Sequence, residues 1–331
     1  MASDAVLRVA NVTVDYPLGR AGLFGPRRIL RAVDDVSFEL APGECLGVVG
    51  ESGCGKSSLG RAILQLVRPT AGSVSFDGVD LCRLSTAALK PYRRDLQVVF
   101  QDPLASLNPR MTVAEIVGEP LAVHRPGIDA RARQREVDRM LERVGLRAGM
   151  GGRYPNEFSG GQAQRISIAR AMIAGPRVLV CDEPVSSLDV SIQAQICNLL
   201  RELQRETGVA LVFISHDLAI VRYMSQRVLV MYLGRVMEEG RRDAFFAGPR
   251  HPYSQALIAA VPVPDPDRDI AGEEALLAGD PPSPANPPSG CVFRTRCRHA
   301  VAACAGDRPP LETLDGGARV ACGRWRELAG N

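Results

Sequence analysis

No apolar run in the chain approaches the ~18 to 20 residues that cross a bilayer. Its start, Met1-Ala2-Ser3-Asp4-Ala5-Val6-Leu7-Arg8, has no basic stretch leading into an apolar one. Neither a spanning helix nor an export signal is expected, so the chain is expected to be made and kept in the cytosol. Charge of one sign is also scarce. A net charge of +3 over 331 residues, with Lys and Arg spread along the chain, leaves no electrostatic footprint for nucleic acid. No internal repeat is apparent. The nine cysteines include no C-x2-4-C zinc knuckle, and in a cytosolic chain they argue against a disulfide framework. What remains is ordinary globular usage, 46% hydrophobic and 23% charged, enough for a sizeable core.

Against this background one segment is specific. Gly50-Glu51-Ser52-Gly53-Cys54-Gly55-Lys56-Ser57 fits G-x-x-x-x-G-K-[ST] directly after the apolar run Cys45-Leu46-Gly47-Val48-Val49, which places a phosphate loop at a strand end. Glycines let backbone N–H groups turn toward phosphate oxygens, and the helix that starts near Lys56 aims its positive end at them. Lys56 is suited to the β- and γ-phosphates, and the Ser57 hydroxyl to Mg²⁺, which prefers hard oxygens. Gly50, Ser52, Gly53, Cys54, Gly55, Lys56, Ser57 and Ser58 are therefore the expected core of a nucleotide triphosphate site.

The rest of the chain reads as α/β. Leu7 to Tyr16 alternates like a strand, Leu18 to Arg28 reads as a glycine-containing basic loop, and a strand at roughly Val33 to Leu40 precedes the turn Ala41-Pro42-Gly43-Glu44. Ser73–Phe76 and Asp95–Phe100 are short strand candidates, and 102–177 looks mostly helical. Within it Val137, Met140, Leu141 and Val144 recur at i, i+3, i+4 and i+7. Arg177–Asp182 and Val209–Ile214 are near-continuous apolar runs, as buried parallel strands require. Ile192, Ile196, Leu199, Leu200 and Leu203 make a helical crossover between them. The pattern gives an α/β core with a helical insertion. Residues 262–288 then hold eight of the 24 prolines, which suits an extended linker.

A second motif narrows the family. Ser159-Gly160-Gly161-Gln162, about a hundred residues beyond the first, resembles the signature of ATP-binding cassette proteins, and further motifs follow the family's order. Tyr16 resembles the aromatic that stacks on adenine and Gln101 the glutamine that couples the site to a partner. Asp182-Glu183 resembles the end of a Walker B strand, Ser187-Leu188-Asp189 the D-loop, and His216 the switch histidine. The resemblance implies a P-loop cassette with a RecA-like core, an antiparallel β subdomain and a helical subdomain at about 102–176. It further implies Mg²⁺ held through Ser57, Gln101 and Asp182, Glu183 as general base, and His216 on the γ-phosphate. Ser159, Gly160, Gly161 and Gln162 would close over ATP bound by an opposite subunit, so the working form is a dimer. Phe158 and Ala163 flank this signature where the family often has Leu and a basic residue, and neither change removes a phosphate contact.

Val98-Val99-Phe100-Gln101-Asp102-Pro103, Ala105 to Thr112, His251-Pro252-Tyr253-Ser254-Gln255-Ala256-Leu257 and Asn286-Pro287-Pro288-Ser289-Gly290-Cys291 are similar to the oligopeptide/dipeptide/nickel importer ATPases. Leu23-Phe24-Gly25 and the run Ala105-Ser106-Leu107-Asn108-Pro109-Arg110 resemble that family's F-type subunit. The implied domains are a nucleotide-binding domain at 1–261, a Pro-rich linker at 262–290 and a Cys-rich extension at 291–331. The implied partners are a homologous D-type ATPase, two permeases and an extracytoplasmic solute-binding protein, at the cytoplasmic face of the membrane. The implied work is ATP hydrolysis powering di- or oligopeptide uptake, with nickel or another small solute as the alternative.

Cys291, Cys297, Cys304 and Cys322 form C-x5-C-x6-C-x17-C among Arg294, Arg296, Arg298 and His299. Four thiolates at such spacings suit a [4Fe–4S] cluster, whose negative charge the arginines would offset, and the family resemblance implies one too. Zinc and free thiols stay open. Cys45, Cys54, Cys82, Cys181 and Cys197 read as small apolar fillers. Two rivals remain: a soluble cassette ATPase working on DNA or ribosomes, and a redox sensor in the Cys-rich tail.

Overall fold

Alternating burial, with Leu7, Val9, Val12 and Val14 inside, makes β1 (Leu7–Arg20), and β2 (Arg27–Leu40) buries Val33, Val36, Phe38 and Leu40 in the same way. The computed structural model describes residues 5–20, 27–260 and 279–328. Leu23-Phe24-Gly25 and most of the proline-rich stretch lie outside the described residues. The basic loop expected from Leu18 to Arg28 is shorter than its composition suggests, because β1 continues to Arg20 and β2 starts at Arg27. The two strands are neighbours, and pairing gives that backbone partners that a loop would have to find in water.

Glu44 closes the turn before β3 (Cys45–Val49) by accepting from Ala41 N–H at 2.9 Å. The phosphate loop follows, then α1 (Lys56–Ile63), β4 (Ala71–Phe76), β5 (Val79–Asp80), α2 (Thr86–Leu89) and β6 (Leu96–Val99). Helices α3 (Pro103–Ser106), α4 (Val113–His124), α5 (Ala130–Arg143) and α6 (Gly160–Met172) fill the predicted helical stretch. Next come β7 (Val178–Asp182), α7 (Val190–Thr207), β8 (Ala210–Ile214), α8 (Leu218–Met224), β9 (Arg227–Tyr232), β10 (Arg235–Arg241), α9 (Arg242–Ala247) and α10 (Pro252–Ala259). The last segment adds β11 (Glu312–Thr313), β12 (Arg319–Val320) and α11 (Trp325–Leu328).

These elements divide between two units. The first comprises Met1–Arg8, Glu39–Cys45 and Ser75–Ile214. In it β6, β7 and β8 lie parallel, Val178 opposite both Leu96 and Ala210. All five residues of β7 and of β8 are buried, as a sheet covered on both faces requires. The α5 stripe of Val137, Met140, Leu141 and Val144 is buried as its spacing predicts. Cys45, Cys181 and Cys197 are buried here, whereas Cys82 is only half-buried. Cys54, in the second unit, is buried as expected.

The second unit comprises Val9–Phe38, Leu46–Val74 and Ser215–Asn331. There β3 pairs parallel with β9, β9 antiparallel with β10, and β10 antiparallel with β12, Glu238 facing Val320 and Glu239 facing Arg319. The Cys-rich segment thus extends the sheet by covering the β10 edge, which would otherwise offer unpaired backbone groups. Phe293 joins Tyr232 and Tyr253 at centroid separations of 5.4 and 5.2 Å, and all three rings are fully buried. Buried Glu239 is held between Arg227 at 2.8 Å and Arg319. Glu238 accepts from the N–H groups of Arg250 and His251, both at 2.8 Å. Complete burial keeps His251 neutral, its pKa pushed down to about 3.

Candidate functional site

The phosphate loop sits in the second unit, between β3 and α1. Its glycines are demanded by backbone geometry. Gly55 has φ +103°, and a Cβ there would lie 2.0 Å from the Ala32 carbonyl oxygen; at Gly50, φ +151°, a Cβ would lie 2.1 Å from that of Met231. Gly53 needs only its conformation, φ +77°, with open space around it. Lys56 is buried and folds back on the loop, donating to the carbonyls of Gly50 at 2.7 Å and Glu51 at 3.0 Å. Cys54 Sγ lies 3.8 Å from the ammonium; burial raises its thiol pKa and Lys56 opposes that rise. Ser52 is exposed, and Ser57 and Ser58 are half-buried.

Tyr16 is half-buried, and its hydroxyl lies 3.4 Å from Ser58 Oγ at the first turn of α1. His216 is exposed and follows Ser215, whose N–H donates to the Val48 carbonyl at 3.1 Å. The second unit therefore holds the loop, the aromatic and the histidine.

The first unit holds the remaining motifs. Asp182 ends β7 and is buried, and Glu183 follows at φ +47°, a left-handed conformation in which a non-glycine residue is strained. Its N–H donates to Ile214 at 3.0 Å, and its carboxylate accepts from Gln101 Nε2 at 3.3 Å. The proposed base and the coupling glutamine thus meet, though they are 82 residues apart.

Ser159 N-caps α6 in a reciprocal capping box with Gln162: Ser159 Oγ accepts at 3.4 Å and Gln162 Oε1 at 3.1 Å. Gly161 has a packing role as well, because a Cβ there would lie 2.6 Å from Ile192 Cγ2 on α7. Phe158 is buried under the Arg153 guanidinium, 5.0 Å from its ring. Ser187 and Asp189 are exposed, as is Val190 at 81%.

Cys291, Cys297, Cys304 and Cys322 line one cavity of about 340 Å³ in the second unit, with Arg294, Arg324 and His299. Burial raises the thiol pKa of Cys291, Cys297 and Cys322. Among the described residues no three His, Cys, Asp or Glu side chains are gathered to hold a metal ion. Two of the expected arginines have specific partners: Arg298 Nε lies 3.0 Å from His299 Nε2, and Arg296 reaches the phosphate loop.

Sequence reasoning missed this last contact. Arg296 Nη1 donates to Glu51 Oε2 at 2.7 Å, and Glu51 N–H donates to the Tyr253 hydroxyl at 2.9 Å. The one available signal was an acidic residue inside an anion-binding loop, which needs a neutralising partner.

Comparison with known proteins agrees with these motifs. A model described as ABC transporter matches residues 33–186, and one described as Oligopeptide/dipeptide transporter, C-terminal region, matches 237–304. The chain is 52% identical over 309 residues to the oligopeptide transport ATP-binding protein OppF of Salmonella typhimurium, covering 93% of this chain and 92% of that one. It is 51% identical over 302 residues to the putative oligopeptide transport ATP-binding protein YkfD of Bacillus subtilis, covering 91% and 92%. Among solved structures, the dimeric post-hydrolysis state of the ATP-binding cassette MJ0796 bound to ADP and Pi matches with TM-score 0.65 and 31% identity, over 71% of this chain and 98% of that one. The cbiO1 protein of Clostridium perfringens, part of the ABC transporter complex cbiONQ, matches with TM-score 0.63 and 27% identity, over 74% and 92%.

Proposed function

Because this chain belongs to the ABC transporter ATPases of the oligopeptide transport type, we propose that it is the ATP-hydrolysing subunit of an importer that takes up di- or oligopeptides. The observation that carries this reading is the union, in one chain, of a match to the ABC transporter family at 33–186 with one to the oligopeptide/dipeptide transporter C-terminal region at 237–304. Its partners on this reading are a homologous second ATPase, two permeases and an extracytoplasmic solute-binding protein, and it works at the cytoplasmic face of the membrane. No helix among the described residues is long and apolar enough to cross a membrane. Nickel or another small solute remains the alternative cargo.

In the proposed cycle the loop amides and Lys56 hold the phosphates, and Ser57, Gln101 and Asp182 each serve Mg²⁺. Tyr16 stacks on adenine and His216 bonds the γ-phosphate. Glu183 takes a proton from the attacking water. Ser159, Gly160, Gly161 and Gln162, with Ser187 and Asp189, face the nucleotide of the second ATPase. Ser187 and Asp189 are exposed, as that role requires. Gln101 passes the resulting closure to the permeases.

Cys291, Cys297, Cys304 and Cys322 are assigned a [4Fe–4S] cluster, a reading supported by their shared cavity and by Arg294 and Arg324 beside it. Bound there, the cluster would cross-link the C-terminal segment. Cysteines ligate as thiolates, so loading would release protons. Protein purified without oxygen is expected to contain iron and absorb in the visible, and Cys297→Ser to lose both; no iron in the unaltered chain refutes the assignment.

Mass spectrometry of what copurifies with the tagged chain from its own detergent-solubilised membranes tests the importer. Two permeases and a second cassette ATPase are expected. Ribosomal or DNA-repair proteins without permeases would overturn transport and leave the ATPase standing.

A further inference from the structure

Glu51 is an electrostatic liability: a carboxylate in the loop whose backbone is arranged to bind an anion. Three groups from outside its own neighbourhood or from the loop's end restrain it. The Tyr253 hydroxyl accepts from its N–H at 2.9 Å, Lys56 donates to its carbonyl at 3.0 Å, and Arg296 donates to its carboxylate at 2.7 Å. The ion pair is largely removed from water, with the Arg296 side chain 6% and the Glu51 side chain 20% exposed. Arg296 is itself fixed, its Nη1 3.4 Å from the Tyr232 hydroxyl and its guanidinium 5.9 Å from that ring's centroid. Tyr232 and Tyr253 in turn pack on each other at 4.7 Å and on Phe293. A chain of buried side chains therefore runs from the C-terminal segment to the second residue of the phosphate loop.

We propose that Arg296 is a positioning residue for the phosphate loop: it neutralises Glu51 and, with Tyr253, fixes the loop's second residue, so that nucleotide affinity depends on the C-terminal extension. Arg296 does not touch nucleotide on this account and acts through Glu51. Cys297 follows it directly, so the Cys-lined cavity and the loop's clamp share one stretch of backbone. The proposal rests on the loop being the nucleotide site and is independent of cargo and of what the cysteines bind.

Equilibrium titration of the full chain with ATP, Mg²⁺ being withheld to prevent hydrolysis, tests it. Removing the guanidinium leaves a carboxylate unneutralised beside the triphosphate, so Arg296→Ala is expected to weaken binding about tenfold, the scale of losing one charge-assisted pair. Adding Glu51→Gln to it removes the offending charge and is expected to restore affinity to within about threefold of the parent, a non-additivity that marks direct coupling. Arg296→Lys keeps the cation and is expected to bind almost as well as the parent. A merely structural tie would lower thermal stability in Arg296→Ala without a second-site rescue of affinity. Unchanged affinity in Arg296→Ala, or no rescue by Glu51→Gln, overturns the proposal. Should Arg296→Ala not fold, Arg296→Lys against Arg296→Gln carries the same comparison. Lys56→Ala serves as control: if it binds ATP normally, the nucleotide site itself is misassigned.

Discussion

Glu183 stands in a strained left-handed conformation, φ +47°, held by its N–H bond to Ile214 and by Gln101 on its carboxylate. A non-glycine residue adopts that geometry at a cost of about 1 to 3 kcal/mol, and it persists only where the surroundings over-determine it. Turning the chain this way at the end of β7 separates the direction of Glu183 from that of Asp182, which suits two carboxylates given different work. Glu183→Gln is therefore expected to retain ATP binding while turnover in the assembled transporter falls by about 10² to 10⁴, the usual range for a general base. Undiminished hydrolysis would remove Glu183 from that role. Lys56→Ala is expected to act at the other step, weakening ATP binding itself, as a titration without Mg²⁺ would reveal.

Among the elements, α4 has the clearest local code. Thr112 Oγ1 accepts from Glu115 N–H, and Glu115 Oε2 accepts from Thr112 N–H at 2.7 Å and from its hydroxyl at 2.9 Å. These donors hold the Glu115 carboxyl below its ordinary pKa of 4.5. A depressed carboxylate pKa stabilises above the unfolded value, and the contribution is lost as pH falls through the folded value. Thermal melts should therefore separate Glu115→Gln from the parent at neutral pH, and the gap should close as the carboxylate range is crossed downward. Thr112→Ala should cost about 0.5 to 2 kcal/mol at neutral pH, the usual worth of an N-cap. A gap that does not change with pH would show that the charge on Glu115 is irrelevant to the cap. By contrast β11 and β12 are two residues each, too short to carry periodicity, and they exist because β10 offers an edge.

At the scale of the whole molecule, the C-terminal segment belongs to the structure of its unit as much as to any ligand. Chains cut before residue 279 would lose β12 from the β10 edge, Phe293 from the buried rings and Arg319 from Glu239. Removing one buried Phe typically costs 3 to 5 kcal/mol, a large share of the ~5 to 15 kcal/mol that stabilises a domain. Such a truncation is expected to aggregate or to elute as misfolded material in size exclusion. A soluble truncated form that binds ATP normally would contradict both this account and the clamp on Glu51.

The sequence by itself determined the cassette: the loop Gly50–Ser57, Ser159–Gln162 and Asp182-Glu183 are local strings whose chemistry needs contiguous residues. The apolar runs of β7 and β8 and the α5 stripe were legible because burial on a regular element leaves a period. Only the tertiary structure decided the Gln101–Glu183 contact, the Arg296–Glu51 clamp and the packing of Gly161 on Ile192. These join residues 82, 245 and 31 positions apart. Such pairs leave no pattern along the chain, because the surroundings that make an arginine a phosphate-loop support rather than a cluster counter-charge are assembled only on folding.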